Sequence, residues 1–115
     1  MQYLLALYAD ESSWEKMTPE QQQQGAAAYG AYTEALKSAG VHVSSNRLRP
    51  SATATTLRTT NGKTQVLDGP YADSKEQLGG YYLIDVPDLD AATAWANRCP
   101  GVQHGIVEVR AIWAM

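Results

Sequence analysis

Residues 79–100 read GGYYLIDVPDLDAATAWANRCP, a strand running into a helix. Gly79 to Val86 mixes aromatic and aliphatic residues, and Pro87, which has no N–H to donate, ends it. Asp88 then supplies a side-chain acceptor for the first helical N–H groups. Leu89, Ala92, Ala96 and Cys99 recur at helical spacing, and Pro100-Gly101 stops the run. Downstream, a last strand is predicted from Gly105 to about Trp113.

Upstream the same alternation appears. Tyr3 to Tyr8 (YLLALY) is apolar throughout, as expected for a central strand covered on both faces. Asp10 to Lys16 reads as a polar connection. Thr18-Pro19-Glu20-Gln21 starts a helix, with Thr18 as N-cap, Pro19 in the first turn and Gln21 completing a capping box. Ala28, Tyr32, Ala35, Leu36 and Ala39 form its inward stripe, and Gly40 suits the left-handed residue that closes it. Val41 to Leu48 is a second strand. Thr53 to Thr59 and Lys63 to Leu67 flank Asn61-Gly62, a hairpin signal because both turn residues tolerate positive φ. The order is strand, helix, strand, hairpin, strand, helix, strand. It predicts an α+β chain with a ferredoxin-like antiparallel sheet, two helices on one face and an extra β-hairpin. The helix-free face would be apolar, so a homodimer with sheets face to face is expected.

Composition narrows the function classes. The 115 residues suit one domain, 1–115, and the 44% apolar and 18% charged content is that of a globular protein. A net charge of −3 argues against a nucleic-acid surface, which needs clustered Lys and Arg. One cysteine, Cys99, excludes an intrachain disulfide. No apolar run reaches the roughly 20 residues of a membrane span, and Met1-Gln2-Tyr3 shows no basic region of a signal peptide. A cytoplasmic protein with no cofactor, no nucleic-acid partner and no membrane partner is the expectation.

The segment DGPYADSKEQLGGYYLIDVPDLDAATAWANRCP resembles the YCII-related family, in the branch named for its Asp-Gly-Pro-Phe motif. YLLALYADE, TEALKSAGV, ATATTLR and GIVEVRAI extend the resemblance along nearly the whole chain. It implies a ferredoxin-like fold pairing into a dimeric α+β barrel. For function it implies small enzymes using an Asp and a His in a cleft, and some association with extracytoplasmic-function sigma factors. The chain departs from that pattern at Tyr71, where the motif has Phe, at Asp73, Ser74 and Ala111, and at Tyr29, where a helix His is common. A pair that used that histidine is not available here.

The candidate site residues follow from topology and local chemistry. Antiparallel neighbours bring Asp10, Glu11, His104 and the start of the first helix to one sheet edge, with Asp68 expected to join them across a loop. An Asp in a turn usually accepts from the N–H two residues on, but here that residue is Pro70. The Asp68 carboxylate must reach Tyr71, find another donor or stay free. The competing reading is that Asp68-Gly69-Pro70 only makes a rigid loop. His104 is the better acid–base candidate, because histidine is the side chain suited to moving protons near neutral pH, unless it is simply an exposed loop histidine. His42 reads as structural. On the last strand His104, Ile106, Glu108, Arg110 and Ile112 share one face, and Val107, Val109, Ala111 and Trp113 share the face under the helices. Glu108 and Arg110 then point into the barrel or dimer interface, where they form an intersubunit ion pair or bind an anion. Two readings follow. One is an enzyme moving protons with Asp68 and His104, its ligand oriented by Gly69, Pro70, Tyr71, Asp10 and Arg110. The other is a non-catalytic dimeric binding or regulatory module acting with a sigma factor.

Overall fold

The structure is a computed structural model that describes residues 1–114. Its main sheet takes the order β2-β5-β1-β6, built from β1 (Gln2–Ala9), β2 (His42–Arg47), β5 (Gln77–Asp85) and β6 (Ile106–Ala111). β1 pairs antiparallel with both β5 and β6. A separate two-stranded sheet joins β3 (Thr55–Thr60) to β4 (Lys63–Asp68) through Asn61 at φ 52° and Gly62 at φ 77°. This is the hairpin the sequence predicts, with both turn residues left-handed.

Cross-strand pairing sets the faces. Tyr3 opposite Ile84 and Leu5 opposite Tyr82 look toward the helices, whereas Leu4 opposite Leu83 and Ala6 opposite Tyr81 look away. Helix α2 (Pro19–Ser38) begins with the predicted reciprocal cap: Gln21 N–H donates to Thr18 Oγ1 at 3.1 Å, and Thr18 N–H donates to Gln21 Oε1 at 3.0 Å. It buries Tyr32 and Leu36, and Gly40 follows at φ 73°. Helix α3 (Leu89–Arg98), capped by Asp88, buries Ala92 and Ala96. Tyr32 ties the layers together, meeting Tyr82 edge-on at 5.1 Å and donating its hydroxyl to Trp95 O at 2.7 Å. Leu5, Leu36 and Ile84 are fully buried, each contributing about 1.5–3 kcal/mol.

Several sequence expectations need correction. Asp10–Lys16 is not an irregular connection: Glu11–Glu15 forms a short helix, α1, because Asp10 caps it. Beyond Pro100-Gly101 the chain makes another helical turn, α4 (Gly101–His104), so His104 lies on that turn and not on the last strand. Leu89, at the first position of α3, is 55% exposed, and Ala28 on α2 and Ala39, its C-cap, are exposed as well. Strand β6 stops at Ala111, so only Val107 and Val109 pack on the core, while Ala111 and Trp113 lie beyond helix cover. No helix among the described residues is long and apolar enough to cross a membrane.

Candidate functional site

On the helix side, where α2 leaves the end of the sheet, lies a cleft of about 580 Å³. Its floor is Leu7, Gly79, Gly80 and Tyr82, and Gly80 is there for a steric reason. A Cβ on Gly80 would come within 2.8 Å of Asn46 O, so only glycine lets β5 run this close to β2. One wall is Tyr29 and Thr33 of α2, and another is Trp14 of α1. Arg47, ending β2, lays its guanidinium 4.7 Å from the Trp14 ring centroid. His104 closes the rim from α4 with its side chain exposed. Gly101 allows α4 to sit against Tyr29, since a Cβ there would lie 3.0 Å from the phenol oxygen.

The polar groups divide into those holding the frame and those open to a ligand. Asp10 Oδ1 accepts from Ser12 Oγ at 2.7 Å and from Ser12 N–H at 3.0 Å, which holds the carboxyl below its usual range. Both Glu11 oxygens are taken, one by Ser51 N–H at 2.7 Å and the other by Ser51 Oγ at 2.9 Å. Thr33 Oγ1 donates its one proton to Tyr29 O at 2.9 Å. The Tyr82 hydroxyl, 2.8 Å from Thr33 Oγ1, must therefore be the donor in that pair. This fixes the proton direction along Tyr82, Thr33 and the Tyr29 carbonyl. The Tyr29 hydroxyl has no protein partner among the described residues, and burial pushes the phenol up to about 12. It is a donor at every physiological pH.

Tyr29 ionisation therefore opposes folding. The stability its neutral phenol contributes is complete below the ordinary value of 10.0 and is lost as pH rises through about 12. In a phenolate absorbance titration, Tyr29→Phe should remove part of the late component near pH 12. Loss of an early component near pH 10 would reverse this assignment.

Asp10, Glu11 and His104 do gather at one sheet edge beside α1 and α2. Asp68 does not join them within one chain. It ends β4 with an exposed side chain, on the separate hairpin. The residues after it fold back on that hairpin: Gly69, at φ 108°, donates to Ala54 O at 2.7 Å, and Thr56 Oγ1 donates to Gly69 O at 2.8 Å. Pro70 is exposed, and the Tyr71 ring lies 5.7 Å from the Arg58 guanidinium. The Asp68 carboxylate has no hydrogen-bond partner among the described residues. Arg110 is on the helix-free face, 2.9 Å from Glu108 of the same chain, so the pair closes within the subunit and not between two. His42 bonds Ser45 Oγ at 2.9 Å, and Cys99 is 2% exposed with its thiol pushed up by burial.

Arg47, Trp14 and Tyr29 are the cleft residues that sequence reasoning did not select. Arg47 ends a polar strand and Trp14 stands in a polar run, so neither carried a signal. Tyr29 was visible only as a departure from the family pattern.

Comparison with known proteins places the chain. Residues 1–115 match the family described as YCII-related domain. An uncharacterized protein of Rhizobium meliloti (strain 1021) is 42% identical over 101 residues, covering 84% of this chain and 78% of that protein. Among solved structures, 5-chloro-2-hydroxyhydroquinone dehydrochlorinase (TftG) from Burkholderia phenoliruptrix AC1100, in complex with 2,5-dihydroxybenzoquinone, superposes with a TM-score of 0.57. That match covers 98% of this chain and 94% of the other at 16% identity, and it shows a shared α+β fold.

Proposed function

The chain belongs to the YCII-related family, and on that premise we propose that it is a small enzyme moving protons on a flat, anionic small molecule held in the cleft. The observation that carries this reading is one cleft holding an aromatic–glycine surface, a cation, a free phenol donor and an imidazole. Tyr82, Trp14 and the bare backbone of Gly79-Gly80 suit a planar ring. Arg47 meets its negative charge, Tyr29 donates to an oxygen, and His104 takes a proton and returns it at another atom, without change of oxidation state. The hydroxyquinone bound by the structural neighbour is a ligand of this kind. Asp68 has no part in proton transfer within one chain.

Asp68-Gly69-Pro70-Tyr71 supports the further reading that the chain is of the Asp-Gly-Pro-Phe branch, with Tyr for Phe, and this reading takes the protein as cytoplasmic. The helix-free face, with Leu4, Ala6, Tyr81 and Leu83 outward, is the surface on which two copies pair. That pairing, and the absence of a sigma-factor requirement, are checked by purification: a dimer free of other proteins is expected.

The chain has only two histidines, which makes a direct test simple. In proton NMR, adding 2,5-dihydroxybenzoquinone should shift the His104 ring signals saturably and leave those of His42 nearly still. Arg47→Met should weaken that binding about tenfold, the scale of one charge-assisted contact. If His104 stays unmoved at millimolar probe, the cleft is not a site for such anions.

A further inference from the structure

We propose that the β3–β4 hairpin is an arm whose Leu57–Val66 face docks on a second copy of this chain. This goes beyond the sheet-on-sheet pairing, because it adds a second contact made by a different element. The pairing of Leu57 with Val66, Thr55 with Asp68 and Thr59 with Thr64 puts these six residues on one face of the arm. Thr56 with Leu67 and Arg58 with Gln65 make the other. The chain itself covers part of that second face, since Gly69 O takes the Thr56 hydroxyl and Tyr71 lies against Arg58. The first face has no such cover: Leu57 is 63% and Val66 65% exposed. A lone two-stranded hairpin is marginal in water, so an arm with its central apolar pair exposed needs a partner surface.

The area of the whole chain points to a second copy as that surface. A monomeric protein of 12.5 kDa should expose about 6,200 Å². This chain exposes 8185 Å². The excess of about 2,000 Å² per chain is on the scale that obligate homodimers bury. The shape agrees, with a radius of gyration of 16.0 Å against about 13 Å for a compact chain of this length. The molecule is a slab 48 × 44 × 18 Å. A sheet and one helix layer about 10 Å apart nearly fill that thickness, so the arm extends the slab and does not fold over its own sheet. A two-fold axis that joins the helix-free faces leaves each arm free to reach across to the other chain, and isologous contacts of this kind close. Asp68 lies on the docking face one pair nearer the root, so the same contact brings its unpartnered carboxylate to the second chain.

Sedimentation velocity tests the arm. Wild type should be a dimer at micromolar concentration, and Leu57→Asp with Val66→Asp should raise its dissociation constant at least 100-fold. Gln65→Asp, on the opposite face of the same arm, should leave association unchanged. A monomeric wild type overturns the proposal, as does a double variant that still dimerises. If Leu83→Asp dissociates the dimer while the arm variant does not, the sheet pairing stands and the arm proposal falls. Should the double variant aggregate, hydrogen exchange on wild type decides: arm amides whose protection rises with protein concentration support docking, and constant protection overturns it. None of these readouts depends on the cleft ligand.

Discussion

Gly105→Ala is expected to lower the melting temperature by more than 10 °C and to leave little folded protein at 37 °C. A Cβ at this position would overlap the Tyr8 carbonyl oxygen and press on Ala9 at 3.1 Å. Neither obstacle is a flexible side-chain end that could swing aside. Tyr8 stands opposite Ile106 in the β1–β6 pairing, so relief of the overlap would part the two strands where they begin. The φ of −164° is extended backbone open to any residue, so the penalty comes from the overlap alone. Overpacking against soft neighbours costs about 1–3 kcal/mol, and a strand carbonyl as the main obstacle puts this at the upper end or above. In a chain of this size about 3 kcal/mol corresponds to a shift of roughly 10–20 °C. Gly30→Ala, where a Cβ meets nothing within 4 Å, is the control and should stabilise slightly. A Gly105→Ala protein that melts within 3 °C of wild type would refute the overlap.

His104→Gln is expected to slow proton transfer in the cleft by about 10²–10⁴-fold, the usual range for loss of a general acid–base group. The ring C–H of 2,5-dihydroxybenzoquinone exchanges with solvent through its keto tautomer. Deuterium wash-in followed by NMR therefore reports the step directly, and the bound hydroxyquinone is both ligand and reactant. Glutamine keeps a polar side chain of similar reach but cannot cycle a proton at neutral pH, so its probe affinity should change less than about tenfold. The α4 turn is held by backbone contacts, Gly105 N–H to Gly101 O at 2.8 Å among them, so the substitution should not disturb the fold. Equal wash-in rates for wild type and variant, with binding intact, would leave the cleft a binding site in which His104 transfers no proton.

Much of the architecture is legible in the chain because local chemistry specifies it. Thr18, Pro19 and Gln21 start α2 through bonds spanning only three residues. Asn61 and Gly62 turn the hairpin because both accept positive φ. Alternation along β1 and β6 tells which side chains share a face. The errors arise where a neighbour in space decides. Leu89 has the right spacing for the core, but at the first turn of α3 it lies beyond the edge of what the sheet covers. Helix α1 depends on a single Asp10–Ser12 cap inside a polar run with no apolar period.

The site divides in the same way. Antiparallel strand order alone brings Asp10, Glu11 and His104 to one edge, and the comparison with the family singles out position 29. What the residues cannot reveal is which of these groups remain free. Ser51, forty residues from Glu11, occupies both oxygens of that carboxylate, while Tyr29 is left with an open hydroxyl. Asp68 was placed near the cleft only through the reach of a loop, and loop length bounds a distance without setting it. The tertiary structure sends the chain back along the hairpin at Gly69 and leaves Asp68 on the arm, away from His104. The residues alone specify the order of the strands with α2 and α3, the caps of those two helices, the Asn61-Gly62 turn and the α+β class, because those rest on contacts between near neighbours; α1 and α4 escaped that reading. Only the tertiary structure decided the cleft, its Arg47–Trp14 wall and the exposed arm, because these depend on distances between residues that chain spacing does not encode.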